Sequence, residues 1–254
     1  MNKKNILLSG GTGCLGSALL NVDPDIIAPT HDNFDITHPE SRICFQYWFD
    51  GTYYKGQKPD TYLHCSGFVG NPRIDKNPSR TILDNIIGTA NCVRAAMEHN
   101  IRFIFISTDY LHGEHETNKF GHYRETDLLD PVDKYGSWSK LAGEASVRLY
   151  LHNSLIIRTS FCPDDFYPDW QYVFTDSYTS KDKVSIIAPL IYKAAISDLT
   201  GILNIGTPSK SLAALAKSCG KNLPEYKLSD KPNVKIPRDT SFDLSRLNKE
   251  LLKK

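Results

Sequence analysis

The sequence predicts an α/β protein of the Rossmann type, a doubly wound parallel sheet with a small C-terminal substrate lobe. Short apolar segments alternate with helix-like stretches over the first two thirds of the chain, and a glycine-rich loop directly follows the first apolar segment. After Ser160 the alternation gives way to prolines, aromatics and charges without a clear period. Alternating strands and helices of these lengths are typical of a parallel sheet covered on both faces.

Each expected element has a simple pattern behind it. Short apolar runs bounded by polar residues or glycines predict buried strands, at 5–9, 26–30, 61–66, 102–107 and 154–159. Apolar residues at helical spacing, or a glycine turn opening a helix, predict helices at 13–20, 81–99, 139–151, 184–197 and 211–218. The longest of these, 81–99, has room for five helical turns.

The change of texture after Ser160 also predicts the domain organisation. Residues 1–160 are expected to form a dinucleotide-binding domain, and 184–205 to pack back on it. Residues 161–183 and 206–254 are expected to form the small substrate-binding lobe.

Composition excludes several classes of protein. The 254 residues are 40% hydrophobic and 23% charged, as in a soluble globular protein. Thirty basic and 29 acidic side chains leave a formal charge of +1, so neither nucleic acid nor a membrane surface is an expected partner. The six cysteines contain no CxxC pair, which favours reduced thiols over disulfides or zinc, and the sequence predicts a cytoplasmic protein without a metal site.

The loop GGTGCLG at 10–16 has the pattern GxxGxxG between a strand and a helix. Glycines there permit a tight turn, close approach of a pyrophosphate, and close packing of helix on strand. The helix N-terminus adds unpaired N–H groups and a partial positive charge. The loop predicts dinucleotide binding by Gly10, Thr12, Gly13, Cys14, Leu15 and Gly16.

The end of the second strand should distinguish NADH from NADPH. An acidic residue there would bind the ribose 2′-hydroxyl of NADH. The sequence instead reads Ala28-Pro29-Thr30-His31-Asp32. Thr30 and His31 suit a 2′-phosphate whereas Asp32 would repel one, so the sequence favours NADPH and leaves NADH open.

Five motifs, in this order, carry a resemblance to a known family. They are GGTGCLG at 10–16, FDITHPE at 34–40, STDY at 107–110, YGSWSKLAGE at 135–144 and RTSF at 158–161. Over residues 5–161 the chain resembles the extended short-chain dehydrogenases/reductases, and among them the dTDP-4-dehydrorhamnose reductase family. Beyond 161 the similarity fades, and this chain is shorter there than typical members.

The resemblance implies NAD(P)H-dependent reduction of a nucleotide-linked 4-keto-6-deoxy sugar, and a possible homodimer. It implies a catalytic group of Thr108, Tyr135 and Lys140, the last two also touching the cofactor. Further cofactor contacts would be Asp35, Cys65, Ser66, Gly67 and Asn85. Substrate contacts would be Asp109, Tyr110 and Phe161.

The chemistry suits these residue types. A carbonyl that receives a hydride must also receive a proton on its oxygen, and tyrosine can give it when its pKa, about 10 unperturbed, is lowered. The Lys140 ammonium would favour the phenolate, and Thr108 would polarise the carbonyl.

The spacing of Tyr135 departs from the family pattern. Family members place tyrosine and lysine four residues apart, whereas here they are five apart, and Gly136 stands four before Lys140. Either Tyr135 lies in a non-helical or bulged first turn that restores the geometry, or the site is impaired. Two alternatives therefore stay open, a non-catalytic dinucleotide-binding subunit and an epimerase or dehydratase with tightly held NAD.

Other residues have simpler interpretations. Arg158 is expected to pair with a buried acid, and His64 to pack against the sheet. The aromatics from Phe161 to Tyr172 fit either a substrate contact or the core of the small lobe. Lys181 and Arg238 are candidates to meet a diphosphate.

Overall fold

The computed structural model describes residues 4–38, 47–52, 56–113, 121–131, 135–234 and 236–253. Its strands, in chain order, are β1 (Ile6–Ser9), β2 (Thr61–His64), β3 (Arg102–Ile106), β4 (Ser154–Thr159), β5 (Phe161–Cys162), β6 (Val173–Phe174), β7 (Tyr178–Thr179), β8 (Asp182–Lys183), β9 (Gly201–Ile205), β10 (Lys210–Ser211) and β11 (Glu225–Tyr226). Its α-helices are α1 (Cys14–Val22), α2 (Asn71–Lys76), α3 (Pro78–Thr81), α4 (Thr89–Glu98), α5 (Gly136–Arg148), α6 (Val184–Ile196) and α7 (Leu212–Ser218).

Five parallel strands form the central sheet in the order β1-β2-β3-β4-β9. On the outer side of β1, Leu7 pairs with Ile27 in a parallel bridge. The chain therefore crosses from β1 to one side and later returns to β2 on the other. In open α/β sheets such a reversal opens a crevice at the carboxyl ends of the strands.

Of the expected strand 26–30, only this bridge forms. Ile27 accepts a hydrogen bond from Leu8 N at 2.8 Å and donates one to Ile6 O at 2.9 Å. Pro29, two residues on, has no N–H with which to extend the ladder. The pairing is accordingly limited to the residues around Ile27.

Helices cover both faces of the sheet, which confirms the predicted α/β class. On one face α1 and α6 pack on apolar strand residues, and the π-helical turn Leu247–Leu252 joins them. On the other face α4 and α5 pack against β2, β3 and β4. A Cβ on Gly143 of α5 would lie 2.7 Å from the Phe105 ring, so this helix sits unusually close to β3.

The long helix expected at 81–99 is built in three parts. After α3, residues Ile82–Gly88 form a π-helical segment, and α4 continues from Thr89. A wider turn of this kind shifts the side chains that follow it around the helix axis, and such turns are frequent at functional sites. Here the segment carries Asn85, which is buried.

A separate apolar cluster lies beyond the sheet. It contains buried residues from β5, β6 and α7 and the loop between the first two: Cys162, Phe166, Val173, Phe174, Leu212, Ala213, Leu215 and Ala216. Tyr167, Trp170 and Tyr172 pack against it. The intervening α6 and β9 belong to the sheet instead. Among the described residues, no helix is both long and apolar enough to cross a membrane.

Candidate active site

A cleft of about 530 Å³ runs along the carboxyl ends of the strands. Four segments that follow strands line it, namely the glycine loop after β1, residues 65–70 after β2, residues 107–108 after β3 and residues 160–161 after β4. Lys140 of α5 lines it from one side. These are the strand ends at which the topology predicts a ligand crevice.

The glycine loop has no room for a side chain at Gly10 or at Gly16. Gly10 has φ +80°, and a Cβ there would lie 2.8 Å from Ser66 N. A Cβ on Gly16 would overlap the carbonyl oxygen of Gly10. Gly13 precedes α1, and no side chain caps the helix. The backbone at the start of α1 therefore faces the cleft and is suited to hold a phosphate group.

Most of the expected cofactor contacts line this cleft. They are Gly10, Thr12, Gly13, Cys14, Leu15, Gly16, Thr30, His31, Cys65, Ser66, Gly67, Asn85 and Lys140. Asp35 is not among the lining residues, because its carboxylate turns to Thr37 and accepts hydrogen bonds from Thr37 N at 2.8 Å and Oγ1 at 2.7 Å. Although partial burial opposes the charge, these bonds lower the pKa of Asp35 below its ordinary value.

Two charged residues at this end of the cleft were not anticipated. Arg80 and Asp84 both line it, and Arg80 Nε lies 2.7 Å from Asp84 Oδ2. Their four-residue spacing on a helix was visible in the sequence, but it indicates only a helical ion pair. Their place in the cleft depends on the turns of α3 and the π-helical segment.

Asn85 joins the loop after β2 to helix α5. Its Oδ1 accepts a hydrogen bond from Phe68 N at 2.7 Å, and its Nδ2 donates to Phe68 O at 3.0 Å and to Ser139 Oγ at 2.9 Å. A Cβ on Gly67 would lie 3.1 Å from Asn85 Oδ1 and 3.5 Å from Lys140 Nζ. Glycine at 67 therefore lets both side chains approach the loop backbone.

Lys140 reaches the cleft from α5. Its Nζ donates a hydrogen bond to Ile106 O at 2.9 Å and lies 5.0 Å from the centre of the Phe105 ring. Burial lowers the pKa of Lys140 to about 8. The neighbouring Cys65 thiol has a pKa raised to about 12 by burial, so at neutral pH it is protonated.

Thr108 and Tyr135 are placed differently. Thr108 lines the cleft, and its Oγ1 accepts a hydrogen bond from Tyr110 N at 3.2 Å. Tyr135 stands immediately before α5 with φ −135° and ψ −37°, so the helix starts after it rather than bulging around it. It is half-buried and is not among the residues that line the cleft, whereas Gly136 and Ser137 are.

Of the expected substrate contacts, Tyr110 and Phe161 line the cleft and Asp109 does not. The Asp109 carboxylate is buried and accepts hydrogen bonds from Thr240 Oγ1 at 2.8 Å and Thr179 Oγ1 at 3.3 Å. It therefore ties the end of β3 to the C-terminal part of the chain. Lys181 lines the cleft, whereas Arg238 is exposed outside it.

Beyond the cleft, Arg158 and Glu144 form a fully buried pair. Arg158 Nε lies 3.0 Å from Glu144 Oε1, and Nη2 lies 2.9 Å from Oε2, which confirms the expected buried acid. His64 is also buried, and burial lowers its pKa to about 3. Glu114, His115 and Glu116, which follow the STDY motif in the sequence and would form a solvated loop, lie outside the described residues.

Comparison with known proteins agrees with this geometry. A family model described as RmlD substrate binding domain matches residues 4–189. The chain is 24% identical over 191 residues to dTDP-4-dehydrorhamnose reductase of Aggregatibacter actinomycetemcomitans, covering 73% of this chain and 61% of that protein. It is 30% identical over 161 residues to the spore coat polysaccharide biosynthesis protein SpsK of Bacillus subtilis, covering 61% of this chain and 52% of that protein. The chain thus spans between half and two thirds of the length of these two curated relatives.

Among solved structures, dTDP-4-dehydrorhamnose reductase of Bacillus anthracis in complex with NADP is similar in fold. The TM-score is 0.77 at 22% identity, with 97% of this chain and 91% of that chain covered. Because the family model matches well over half of the sequence, the chain belongs to the RmlD substrate binding domain family.

Proposed function

We propose that this protein reduces the keto group of a nucleotide-linked 4-keto-6-deoxy sugar with a nicotinamide dinucleotide, NADPH in preference to NADH. One observation carries the proposal, namely that a single cleft brings the glycine loop together with Thr108 and Lys140. When bound, the reduced nicotinamide supplies the hydride. Relatives named as dTDP-4-dehydrorhamnose reductases support the substrate class.

The residues present fit a dinucleotide. Gly10 and Gly16 leave no space for a Cβ, and the start of α1 offers backbone N–H groups to a pyrophosphate. Lys140 would hold the ribose, and Asn85 joins the loop after β2 to helix α5. Thr108 carries a hydroxyl into the cleft, where it would donate to the substrate's carbonyl oxygen.

NADPH is favoured by the basic side chains at the glycine-loop end, of which Arg80 is paired with Asp84. Thr30, His31 and Arg80 line the cleft there, whereas Asp32 is not among the lining residues. A guanidinium is well suited to a 2′-phosphate. NADH is favoured by a carboxylate that binds the ribose hydroxyls. Asp35 does not supply one, because its carboxylate is hydrogen-bonded to Thr37.

One observation favours a second candidate function, a dinucleotide-binding subunit without catalysis. Tyr135, the proton donor that the family resemblance assigns, is not among the cleft-lining residues. A protein with this cleft and no proton donor would bind the dinucleotide but would not reduce a keto sugar.

A single titration decides between the two candidates. NADPH and NADH are added in turn, binding is followed by nicotinamide fluorescence, and dTDP-4-keto-6-deoxyglucose is then added to the same cuvette. Loss of absorbance at the reduced nicotinamide band supports the reductase. Tight binding with no turnover on this or other keto-sugar nucleotides supports the binding subunit, and failure to bind either cofactor contradicts both.

A further inference from the structure

Two cysteine sulfurs are in contact at the apolar cluster beyond the sheet. Cys162 Sγ, on β5, and Cys219 Sγ, just after α7, lie 3.9 Å apart. A disulfide holds its sulfurs about 2.0 Å apart, so a total movement of about 2 Å would bring these two to bonding distance. Among the cysteines that the structure describes, no other two have their sulfurs in contact.

Both cysteines stand at the ends of short elements. Strand β5 has two residues, and the irregular segment 163–172 follows Cys162. Helix α7 has seven residues, and after Cys219 the chain turns at Gly220, which has φ +76°. Because neither cysteine lies within a long helix or strand, a local shift can join the sulfurs without breaking the pairing of the central sheet.

The two thiols differ in their access to a dissolved reagent. Cys162 is fully buried, and its thiol donates a hydrogen bond to Asp182 O at 3.7 Å. Burial raises the pKa of Cys162 to about 12, and the neighbouring Cys219 sulfur acts in the same direction, so this thiol keeps its proton at neutral pH. Cys219 is only half-buried. Because attack requires both a thiolate and access, a dissolved oxidant meets Cys219 first.

We propose that Cys162 and Cys219 form a redox-active pair, which a small dissolved disulfide such as oxidised glutathione closes into an intramolecular disulfide and excess thiol reopens. The pair is compatible with the reduced thiols expected from the sequence, because reversible disulfides occur where structural ones are rare. The existence of the pair does not depend on the proposed reductase function.

The oxidation takes two exchange steps. The Cys219 thiolate, whose proton has gone to water, attacks one sulfur of the small disulfide, forming a mixed disulfide and releasing one small thiolate. Cys162 then gives up its proton and attacks the Cys219 sulfur, and the mixed disulfide breaks to release the second small thiolate. In all, two protein thiols lose two electrons and two protons, and one small disulfide takes them up to become two thiols.

The pair adjoins the substrate end of the cleft, which is lined by Tyr110, Phe161, Tyr167 and Lys181. Phe161 directly precedes Cys162, and its partner in the pairing of β5 with β8 is Asp182. Tyr167 Oη donates a hydrogen bond to Phe161 O at 2.9 Å and accepts one from Lys181 Nζ at 3.3 Å. When Cys162 Sγ moves towards Cys219 it leaves Asp182 O, so we expect oxidation to alter this wall of the cleft.

Mass spectrometry of the full chain tests the bond itself. The folded protein is treated with oxidised glutathione, unfolded, alkylated and digested. We expect a peptide pair that joins Cys162 to Cys219, with no glutathione left on either residue, and recovery of both thiols in excess reduced glutathione. Alkylation of both residues after the oxidant, or a disulfide from either one to a different cysteine, would overturn the proposal.

Three variants separate the roles of the two sulfurs. In Cys162→Ser the reaction should stop at the glutathione adduct of Cys219, whereas Cys219→Ser should leave Cys162 unmodified. Cys92→Ser removes a buried cysteine outside the pair and should form the bond as the unmodified protein does. A glutathione adduct on Cys162 in Cys219→Ser would contradict the order of attack.

Hydrogen exchange measures the effect on the cleft without a ligand. In the oxidised protein, we expect the backbone amides of residues 161–183 to exchange about threefold or more slowly, because the new bond restricts their local opening. Those of α4, on the other face of the sheet, should be unchanged. Equal exchange of residues 161–183 in the reduced and oxidised protein would overturn the link between the pair and the cleft.

The affinity for dTDP shows whether the link acts on a ligand, and this measurement rests on the proposed function. Calorimetry should find dTDP bound about threefold or more weakly by the oxidised protein, and equally by Cys219→Ser with and without oxidant. Equal affinities in the oxidised and reduced protein would contradict an effect on the substrate end. If neither form binds dTDP, the proposed substrate class is wrong, and mass spectrometry and hydrogen exchange still decide on the pair.

Discussion

The two ends of the cleft differ in the atoms that line them, which are backbone atoms at one end and side-chain atoms at the other. At the glycine-loop end, the ligand surface is backbone, and the loop, its strand and its helix lie within one short stretch from β1 to α1. At the substrate end, side chains line the cleft and one of them carries a buried charge, and Tyr110, Tyr167 and Lys181 come from separate parts of the chain. The first end depends on the absence of side chains, and the second on their exact pairing.

The largest effect is expected from a methyl group at the glycine-loop end. Gly16→Ala places a Cβ onto the carbonyl oxygen of Gly10, and the backbone has to move. We expect a loss of about 4 kcal/mol or more in the free energy of unfolding, or no folded protein. Denaturant unfolding measures it. Gly13→Ala is the control, because its Cβ would lie 3.3 Å from Gly10 O, and we expect it to lose about 1 kcal/mol. Equal losses in the two variants would contradict the packing argument.

Next in size is the buried ion pair between α5 and β4, which lies beyond the cleft. Glu144 on α5 pairs with Arg158 on β4, and both side chains are fully buried. Glu144→Ala leaves the guanidinium buried without its carboxylate, and we expect a loss of about 3–5 kcal/mol. Glu98→Ala removes the exposed partner of Arg94 and should cost under about 0.5 kcal/mol. A small loss in Glu144→Ala would mean that water or another acid replaces the pair.

The two cleft lysines should contribute to stability with opposite sign at pH 7, and only the contribution of Lys140 should change markedly between pH 7 and pH 10. The pKa of Lys140 is lowered to about 8, so between pH 8 and about 10.5 the unfolded chain holds a proton that the folded chain does not, and stability rises with pH. Below pH 8 the full cost of burying the charge is present. The free energy of unfolding of Lys140→Met should therefore be compared with that of the unmodified protein at both pH values. We expect this difference to favour the variant by about 2 kcal/mol more at pH 7 than at pH 10.

Lys181→Met is the counterpart of that experiment. The pKa of Lys181 is raised, so its charge contributes stability below its unfolded pKa, and the variant should lose stability at pH 7. Unfolding curves for both variants at pH 7 and pH 10 provide the comparison. A stabilised Lys181→Met at pH 7 would contradict the assigned environment of the substrate end.

The smallest expected effect concerns the choice of cofactor. Arg80→Met removes a guanidinium from the glycine-loop end, and we expect the KM for NADPH to rise about tenfold, near 1.4 kcal/mol, while that for NADH stays the same. Arg94→Met, on α4 and outside the cleft lining, is the matched control. An equal rise in the KM for NADPH and for NADH would mean that Arg80 does not bind the 2′-phosphate.

The sequence predicts the glycine-loop end well because its signals are local. A strand, three glycines and a helix follow one another, and each has a pattern that is readable within a few residues. The expected strand 26–30 reduces to one bridge because Pro29 stops the ladder, and the π-helical turn at Ile82–Gly88 has no comparable local signal.

The contacts at the substrate end cannot be predicted in this way, because they join residues that lie far apart in the sequence. Asp109 looks like a substrate contact beside Thr108, yet its carboxylate is occupied by Thr240, 131 residues away. The Tyr167–Lys181 contact joins residues 14 apart through an irregular segment with no period. The position of Tyr135 likewise depends on where α5 begins, which one inserted residue is enough to change.

The hydrogen bond from Thr240 to Asp109 has a consequence for the order in which the protein is made. A chain emerges from the ribosome N-terminus first, so the glycine loop and β2 are synthesised long before residue 240. Until Thr240 arrives, the Asp109 carboxylate at the end of β3 lacks its shortest hydrogen bond. A nascent chain therefore has the residues of its dinucleotide pocket well before its substrate pocket is complete, because the segment around Thr240 is translated long after β3.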